Sequence, residues 1–487
     1  MTTAADYSGG TAEADHLCVL VHGLWGNPNH LTYVAKTLRE KHPRDKVHIL
    51  VAKRNSGSFT YDGIELGGER VCREIEEELQ LIERAGGKIK KLSFVGYSLG
   101  GLVARYAIGL LFARGLLDKF ECMNFTAFAS PFLGVHTPRR GFGNRLFNVL
   151  GARTLAMSGR QLFGIDTFRD TGKPLLAVLA DPTSIFMSGL ALFRRHTLYA
   201  NATNDRSAPY FTTMIAKTDP YTDMSKIRVN FVSGYENVVL DPLDPVALPS
   251  SEEEDGESGG QSKKKKASLA ARLRERLEQL GIVLALGVFV PIFLVAFFTN
   301  SGYQTLSSAR RIRLHEQGRA GINTETYRVD LWMKEIRSAV EGAYENLNSA
   351  QGQEYLRASS SSPSSSSSSS ENGDAVLSSD ELPPPPPSSS QSATKAESED
   401  GKQRGAAGRD ILALERRQSL PTQPTLALAP YQFEAIKALD ALGWRKYPVW
   451  VHKHRQSHAA IIVRKDKDSW SEGKIVLRHW VDEEFLL

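Results

Sequence analysis

Cysteine is scarce, with three residues in a chain of 487 (Cys18, Cys72 and Cys122). An odd, scattered set offers neither a disulfide framework nor metal-ligand spacing, so three reduced thiols are expected. Strong net charge is also missing. The formal value is +5 and most of the chain carries it evenly, which argues against nucleic acid as a partner. Residues 1–15 hold no apolar run, so no signal peptide is expected. No internal repeat is visible. Composition excludes a collagen, a wholly disordered chain and a polytopic membrane protein: 41% of residues are hydrophobic and 24% charged. Local absences are sharper. Residues 281–299 carry no charge at all, and 359–370 are serine apart from Pro363.

What is present at the front is an alternation. Short apolar runs at Leu17–Val21, Val47–Val51, Leu92–Val95, Phe125–Ala129 and Thr197–Ala200 read as strands. Helical patterns at Leu31–Lys41, Gly67–Ala85 and Gly100–Ala113 lie between them. The second puts Val71, Ile75, Leu79 and Ile82 on one stripe with glutamates opposite. Such alternation implies an α/β fold, a mostly parallel sheet with helices on both faces.

The texture then changes. An acidic run (252–257), Lys263–Lys266, and a basic helical stretch with Arg272, Arg274 and Arg276 lead into the apolar segment. Arg310, Arg311 and Arg313 follow it. Residues 326–350 look helical, and the Ser/Pro-rich 357–430 has too few apolar groups to offset the cost of ordering. Structure is expected to resume at Tyr431–Leu442 as a helix, with strands at Tyr447–Val451, Ala459–Val463 and Lys474–Trp480. The expected organisation is a disordered tail (1–14), the front part of an α/β core (15–250) and a charged flank (251–280). A membrane-anchoring segment (281–299), a helical flank (300–356) and a disordered linker (357–430) follow, and the last part of the core (431–487) closes the chain.

Chemistry concentrates at Gly96-Tyr97-Ser98-Leu99-Gly100, a G-x-S-x-G between an apolar strand and a helical pattern. A strand, sharp turn and helix bare a serine hydroxyl, and the helix N-terminus puts the Leu99 N–H where an oxyanion develops. His22-Gly23-Leu24-Trp25-Gly26 follows the first strand and supplies a second donor, the Leu24 N–H with Trp25 close behind; His22 reads as structural. An acid and then a base must follow the serine. Asp205, after the Thr197–Ala200 strand, is the best acid; Asp166, Asp219 and Asp241 follow no clear strand. Among the late histidines His458 precedes an apolar run, His452 and His479 fall inside strand patterns, and His454 competes.

Val21–Gly26, Gly96–Gly101 and Ser130-Pro131-Phe132-Leu133-Gly134-Val135, with Asn204-Asp205 and Ser457–Arg464, resemble the fungal putative serine esterase family of α/β-hydrolases. Within it the chain is most similar to the lipid-droplet phospholipases. That resemblance implies acyl-ester hydrolysis of glycerophospholipids through an acyl-enzyme on Ser98, with Asp205 as acid and His458 as base. It implies no metal or cofactor, a phospholipid or acylglycerol substrate, and a lipid droplet or membrane surface with the catalytic parts facing the cytosol. A neutral-lipid lipase, an acyl-thioesterase and a non-catalytic membrane tether with an inherited fold are the alternatives.

Two expectations concern the apolar parts. The large apolar side chains of 131–195, from Phe132 to Phe193, are either core or a cap over an acyl groove. Ile282–Phe298 approaches the ~30 Å of a hydrocarbon core as a straight helix. A single crossing would separate His458 from Ser98, both flanks are basic, and Pro291 sits mid-segment, so a hairpin or interfacial dip is expected.

Overall fold

The computed structural model describes residues 2–138, 141–247, 269–319, 355 and 424–487. Expectations for 252–266, 326–350 and almost all of 357–430 lie outside the described residues. Six strands form one sheet: β1 His16–Val21, β2 Val47–Val51, β3 Lys91–Tyr97, β4 Glu121–Phe128, β5 Arg195–Asn201 and β6 Arg445–Val449. All neighbours are parallel, in the order β2-β1-β3-β4-β5-β6. This is the α/β arrangement, a parallel sheet covered by helices, expected from the alternation. The tail, expected to be disordered, instead holds a short helix, Ala4–Tyr7, with Ala4 and Ala14 buried.

Strand alternation sorts side chains into two cores. Leu17, Val19 and Val21 face one, which also takes Val71 and Ile75 of helix α2 (Ile64–Arg84) and Leu102, Tyr106 and Leu110 of α3 (Leu99–Ala113). Cys18 and Leu20 face the other, with Val34 and Leu38 of the helix Thr32–Lys41 and Val476, Leu477 and Trp480 from the C-terminus. Strands buried on both faces read as unbroken apolar runs, which is why the sequence shows them. The three cysteines are free and buried, and burial pushes the Cys122 thiol up to about 11.

The last segment departs from expectation. Ala459–Val463 is not a strand: Ser457–Ala460 is one helical turn and Val463 takes a positive φ of 52°. Lys474–Trp480 is not a strand either: Ser471–His479 is a helix, with Lys474 and Arg478, four apart, on its exposed side. A short apolar run carries no period that separates buried strand from buried helix. Trp480 pins this segment to the sheet. It is wholly buried, edge-on to Phe128 at 5.7 Å, and its Nε1–H donates to Thr126 Oγ1 at 3.1 Å. Such a ring is worth ~3–5 kcal/mol against truncation to alanine.

Most of the large apolar residues of 131–195 pack into the core. Phe132, Leu162, Phe163, Leu175, Leu176, Ile185, Phe186, Leu190 and Phe193 are all buried in the first cluster. Among the described residues of this stretch Leu146, Phe147 and Val149 are exposed on the helix Phe142–Thr154, and Ile165 and Leu192 are exposed outside it.

Residues 281–299 fall within one continuous helix, α4, Leu269–Glu316, which runs through Pro291 without reversing. The hairpin form of the expectation is therefore replaced by a continuous helix of about 70 Å at 1.5 Å per residue. Proline forfeits one backbone bond there, and the apolar run on either side keeps the rest of the ladder. Among the described residues no helix is long and apolar enough to cross a membrane; the side chains before Pro291 are outside the description.

His479 gives the fold a pH dependence. Tyr199 O–H donates to its Nδ1 at 2.7 Å, Tyr235 and Tyr447 pack edge-on, and burial lowers its pKa to about 4 from 6.5. The unfolded chain therefore takes up this proton first as pH falls. Stability is full above pH 6.5 and declines toward pH 4, by up to ~1.4 kcal/mol per pH unit from this group. Urea midpoints are expected to be flat above pH 7 and to drop between pH 6.5 and 4, with a shallower drop in His479→Gln.

Candidate active site

The three sequence-predicted side chains come from the carboxyl ends of β3, β5 and β6, where open parallel sheets place their sites. Ser98 is the residue between β3 and α3, with φ 54° and ψ −128°, a conformation a serine holds only when its surroundings impose it. The imposition is visible. A Cβ on Gly100 would lie 2.1 Å from the Val21 carbonyl oxygen, so β1 leaves room for glycine alone. Gly23 is equally close from the other side, its place for a Cβ 2.7 Å from Ser98 Cβ. The 23–25 loop thus lies directly beside the serine.

His458 joins the other two. Its Nε2 accepts from Ser98 Oγ at 3.0 Å and its Nδ1 donates to Asp205 Oδ2 at 2.8 Å. The carboxylate plane is fixed by its other partners. Oδ1 accepts the backbone N–H groups of Ser207 (3.0 Å) and Ala208 (2.8 Å), and Oδ2 accepts Asn201 Nδ2 (2.9 Å). With its side chain 2% exposed, Asp205 has little freedom to turn.

Leu99 opens α3, so its N–H has no intrahelical acceptor. In the neighbouring loop the Trp25 N–H is already used, donating to Thr60 Oγ1 at 3.1 Å. Leu24 lies between Trp25 and Gly23, the residue of this loop that abuts Ser98.

The competing residues make other contacts. His22 is buried, and burial lowers its pKa, so it stays neutral. His452 bonds Glu472, His454 Nδ1 accepts the Gln456 N–H, and His479 sits among tyrosines. Asp166 accepts the Leu175 N–H, Asp219 that of Tyr221 and Asp241 that of Leu243.

Three positioning residues were not read from the sequence. Tyr97 O–H donates to the His458 carbonyl oxygen at 2.8 Å, and burial raises its pKa, keeping the hydroxyl protonated as a donor. Ser457 Oγ donates to the Thr203 carbonyl at 2.8 Å, stitching the histidine segment to the aspartate loop. Asn201 orients Asp205. Adjacency to motif residues was the available signal for all three.

Comparison with known proteins gives a consistent picture. Residues 11–219 match the family described as Putative serine esterase (DUF676). "Putative lipase ROG1" of Saccharomyces cerevisiae is 32% identical over 217 residues, covering 43% of this chain and 30% of that protein. "Putative lipase YDL109C" of the same yeast is 29% identical, covering 48% and 34%. "Putative lipase C4A8.10" of Schizosaccharomyces pombe is 27% identical, covering 42% and 27%. The chain thus spans about a third of the length of these relatives. Among solved structures, Est1E from Butyrivibrio proteoclasticus aligns at 13% identity with a TM-score of 0.24, over 41% of this chain and 71% of that one.

Proposed function

We propose that this chain, similar to serine esterases over its front half, is a serine lipase that hydrolyses acyl esters of glycerophospholipids at a lipid droplet or membrane surface. The observation that carries the chemistry is the unbroken run Ser98 Oγ–His458 Nε2 (3.0 Å) and His458 Nδ1–Asp205 Oδ2 (2.8 Å) on a serine held at φ 54°.

Asp205 fixes the tautomer with the proton on Nδ1, so Nε2 is free to take the Ser98 proton as Oγ attacks the ester carbonyl. The Leu24 and Leu99 N–H groups stabilise the tetrahedral oxyanion, aided by the positive end of α3. The imidazolium returns the proton to the leaving alcohol. Water, deprotonated by the same nitrogen, then releases the fatty acid from Ser98.

The surface preference rests on α4. Ile292, Val295 and Phe298 are exposed on a stretch that continues the charge-free run, an apolar surface a lipid phase would cover. The helix continues past this stretch into residues 301–316, where Ser301, Ser308 and His315 are buried and Ser301 and Ser308 bond the catalytic unit. An interfacial dip suits that path, with Arg310 and Arg313 at the head groups and the catalytic unit in the cytosol.

The test is turnover by the full chain on emulsions of phosphatidylcholine, monoacylglycerol and triacylglycerol, alongside a soluble acyl-thioester. Fatty acid release is expected to be fastest from the phospholipid and absent in Ser98→Ala. Release confined to the thioester would overturn the lipid reading, and no release from any substrate would return the chain to a tether.

A further inference from the structure

The C-terminal half of α4 does more than leave the lipid. Ser301, Ser308 and His315 recur every seven residues, two helical turns, and all three are buried against the catalytic unit. Ser301 Oγ donates to the Thr154 carbonyl (2.9 Å), and Ser308 Oγ to the Tyr61 carbonyl (3.2 Å). His315 Nε2 meets Glu69 Oε2 at 2.5 Å. Arg311 lies on the same stripe and grips hardest. Its Nε reaches both oxygens of Asp62 at 2.9 Å, and its Nη2 donates to Asp62 Oδ1 (2.7 Å) and to the Ser58 carbonyl (2.9 Å). Asp62 has a wholly buried side chain and takes Arg70 as well, at 2.7 Å. Charge-assisted bidentate bonds of this kind fix geometry as well as contributing energy.

The turn that Arg311 holds, Gly57–Tyr61 with Asp62 behind it, has a second side. That side faces the loop next to Ser98. Trp25 N–H donates to Thr60 Oγ1 (3.1 Å), Trp25 Nε1–H to Tyr61 Oη (2.7 Å), and Gly57 N–H to the Gly26 carbonyl (2.9 Å). Trp25 is 56% exposed, so packing does not explain its place, and its φ of 55° is one a tryptophan does not hold unaided. Its bonds to the turn hold it there.

We infer that Asp62 and Arg311 are positioning residues that seat the Gly57–Tyr61 turn on the apolar helix and, through Trp25, fix the Leu24 N–H over Ser98. This deepens the esterase reading above and rests on it. The consequence is that the element proposed to meet lipid also sets the oxyanion donor: how α4 lies on the body governs how well the developing charge is met. A shift of the donor by a fraction of an ångström weakens an interaction made chiefly in the transition state, so the effect falls on kcat.

The test uses the full chain with two reagents that need no lipid surface: 4-nitrophenyl butyrate, and a fluorophosphonate whose phosphorus Ser98 Oγ attacks through a similar oxyanion with loss of fluoride. Arg311→Gln and Trp25→Phe are each expected to lower kcat and the phosphonylation rate about tenfold with KM within twofold. The double variant is expected to lose little more than either single one, because both cut one path. His315→Gln breaks the same helix's bond to α2 but not its hold on the turn. It is expected to lower the melting temperature and to keep kcat.

Three results overturn the inference: an Arg311→Gln kcat within twofold of wild type, losses that multiply in the double variant, or a His315→Gln loss in kcat as large as that of Arg311→Gln. A wild type inert to both reagents overturns the esterase reading itself. A reactive wild type beside an indifferent Arg311→Gln overturns this inference alone.

Discussion

Ser98→Ala is expected to lower ester turnover by roughly 10⁴- to 10⁶-fold, because it removes the only atom that forms the acyl-enzyme. Binding and the oxyanion donors would remain and supply the residual rate. The change is expected to leave the fold almost untouched. Among the described residues Ser98 Oγ bonds only the His458 ring, Ser98 is partly open to solvent, and alanine adds no atom to the crowded contact with Gly23. A melting temperature within a few degrees of wild type therefore accompanies the loss. A large fall in melting temperature would mean that Ser98 was holding the structure rather than reacting.

Asp205→Asn is the second large effect, expected at about 10³- to 10⁴-fold in kcat with KM little changed. The substitution is nearly isosteric, so the argument is one of protons. The asparagine oxygen would still accept the Ser207 and Ala208 N–H groups, which places its NH₂ toward Asn201 and His458. Two donors would then face each other at His458 Nδ1. The imidazole responds by moving its proton to Nε2, where it opposes the Ser98 hydroxyl and cannot act as a base. The matched comparison is Glu472→Gln, beside His452 and away from Ser98, which is expected to leave kcat within twofold of wild type. Equal losses in the two variants would remove Asp205 from its role.

Much of this was legible in the sequence because it is written locally. Five of the six strands are apolar on both faces, so they stand out as unbroken runs, and Gly96–Gly100 sits where a strand turns into a helix. The closing segment was legible only in part. His458 stands in a short motif, yet the run after it reads as a strand in the sequence, because Ala459–Val463 is too short and too uniformly apolar to show a period. The Lys474–Trp480 error has another cause. Ile475, Val476 and Trp480 favour strands intrinsically, but packing against the second core overrides that preference, and the spacing of Lys474 and Arg478 was the truer signal.

What the sequence hid is of a different kind. The bonds from Trp25 to Thr60 and Tyr61, and from Arg311 to Asp62, join residues far apart in the chain, and no local pattern encodes the pairing. A trace existed in the seven-residue spacing of Ser301, Ser308 and His315, a polar stripe on a helix whose other face carries Tyr303 and Leu306 exposed. Small polar residues at helical spacing, just past a charge-free run, mark a surface that must sit against something. Here it is the catalytic unit. Pro291 misled in the opposite sense: it suggests a break where the helix continues, since one lost bond among so many is affordable.

The proposed chemistry turns on one atom, Ser98 Oγ, and covalent capture tests it directly. The folded full chain is treated with a fluorophosphonate, digested, and its peptides mapped by mass spectrometry. A single phosphonyl adduct on Ser98, slowed about 10³-fold or more in His458→Ala, is the expected result. An adduct on another residue, or a folded chain that takes up none, would contradict it.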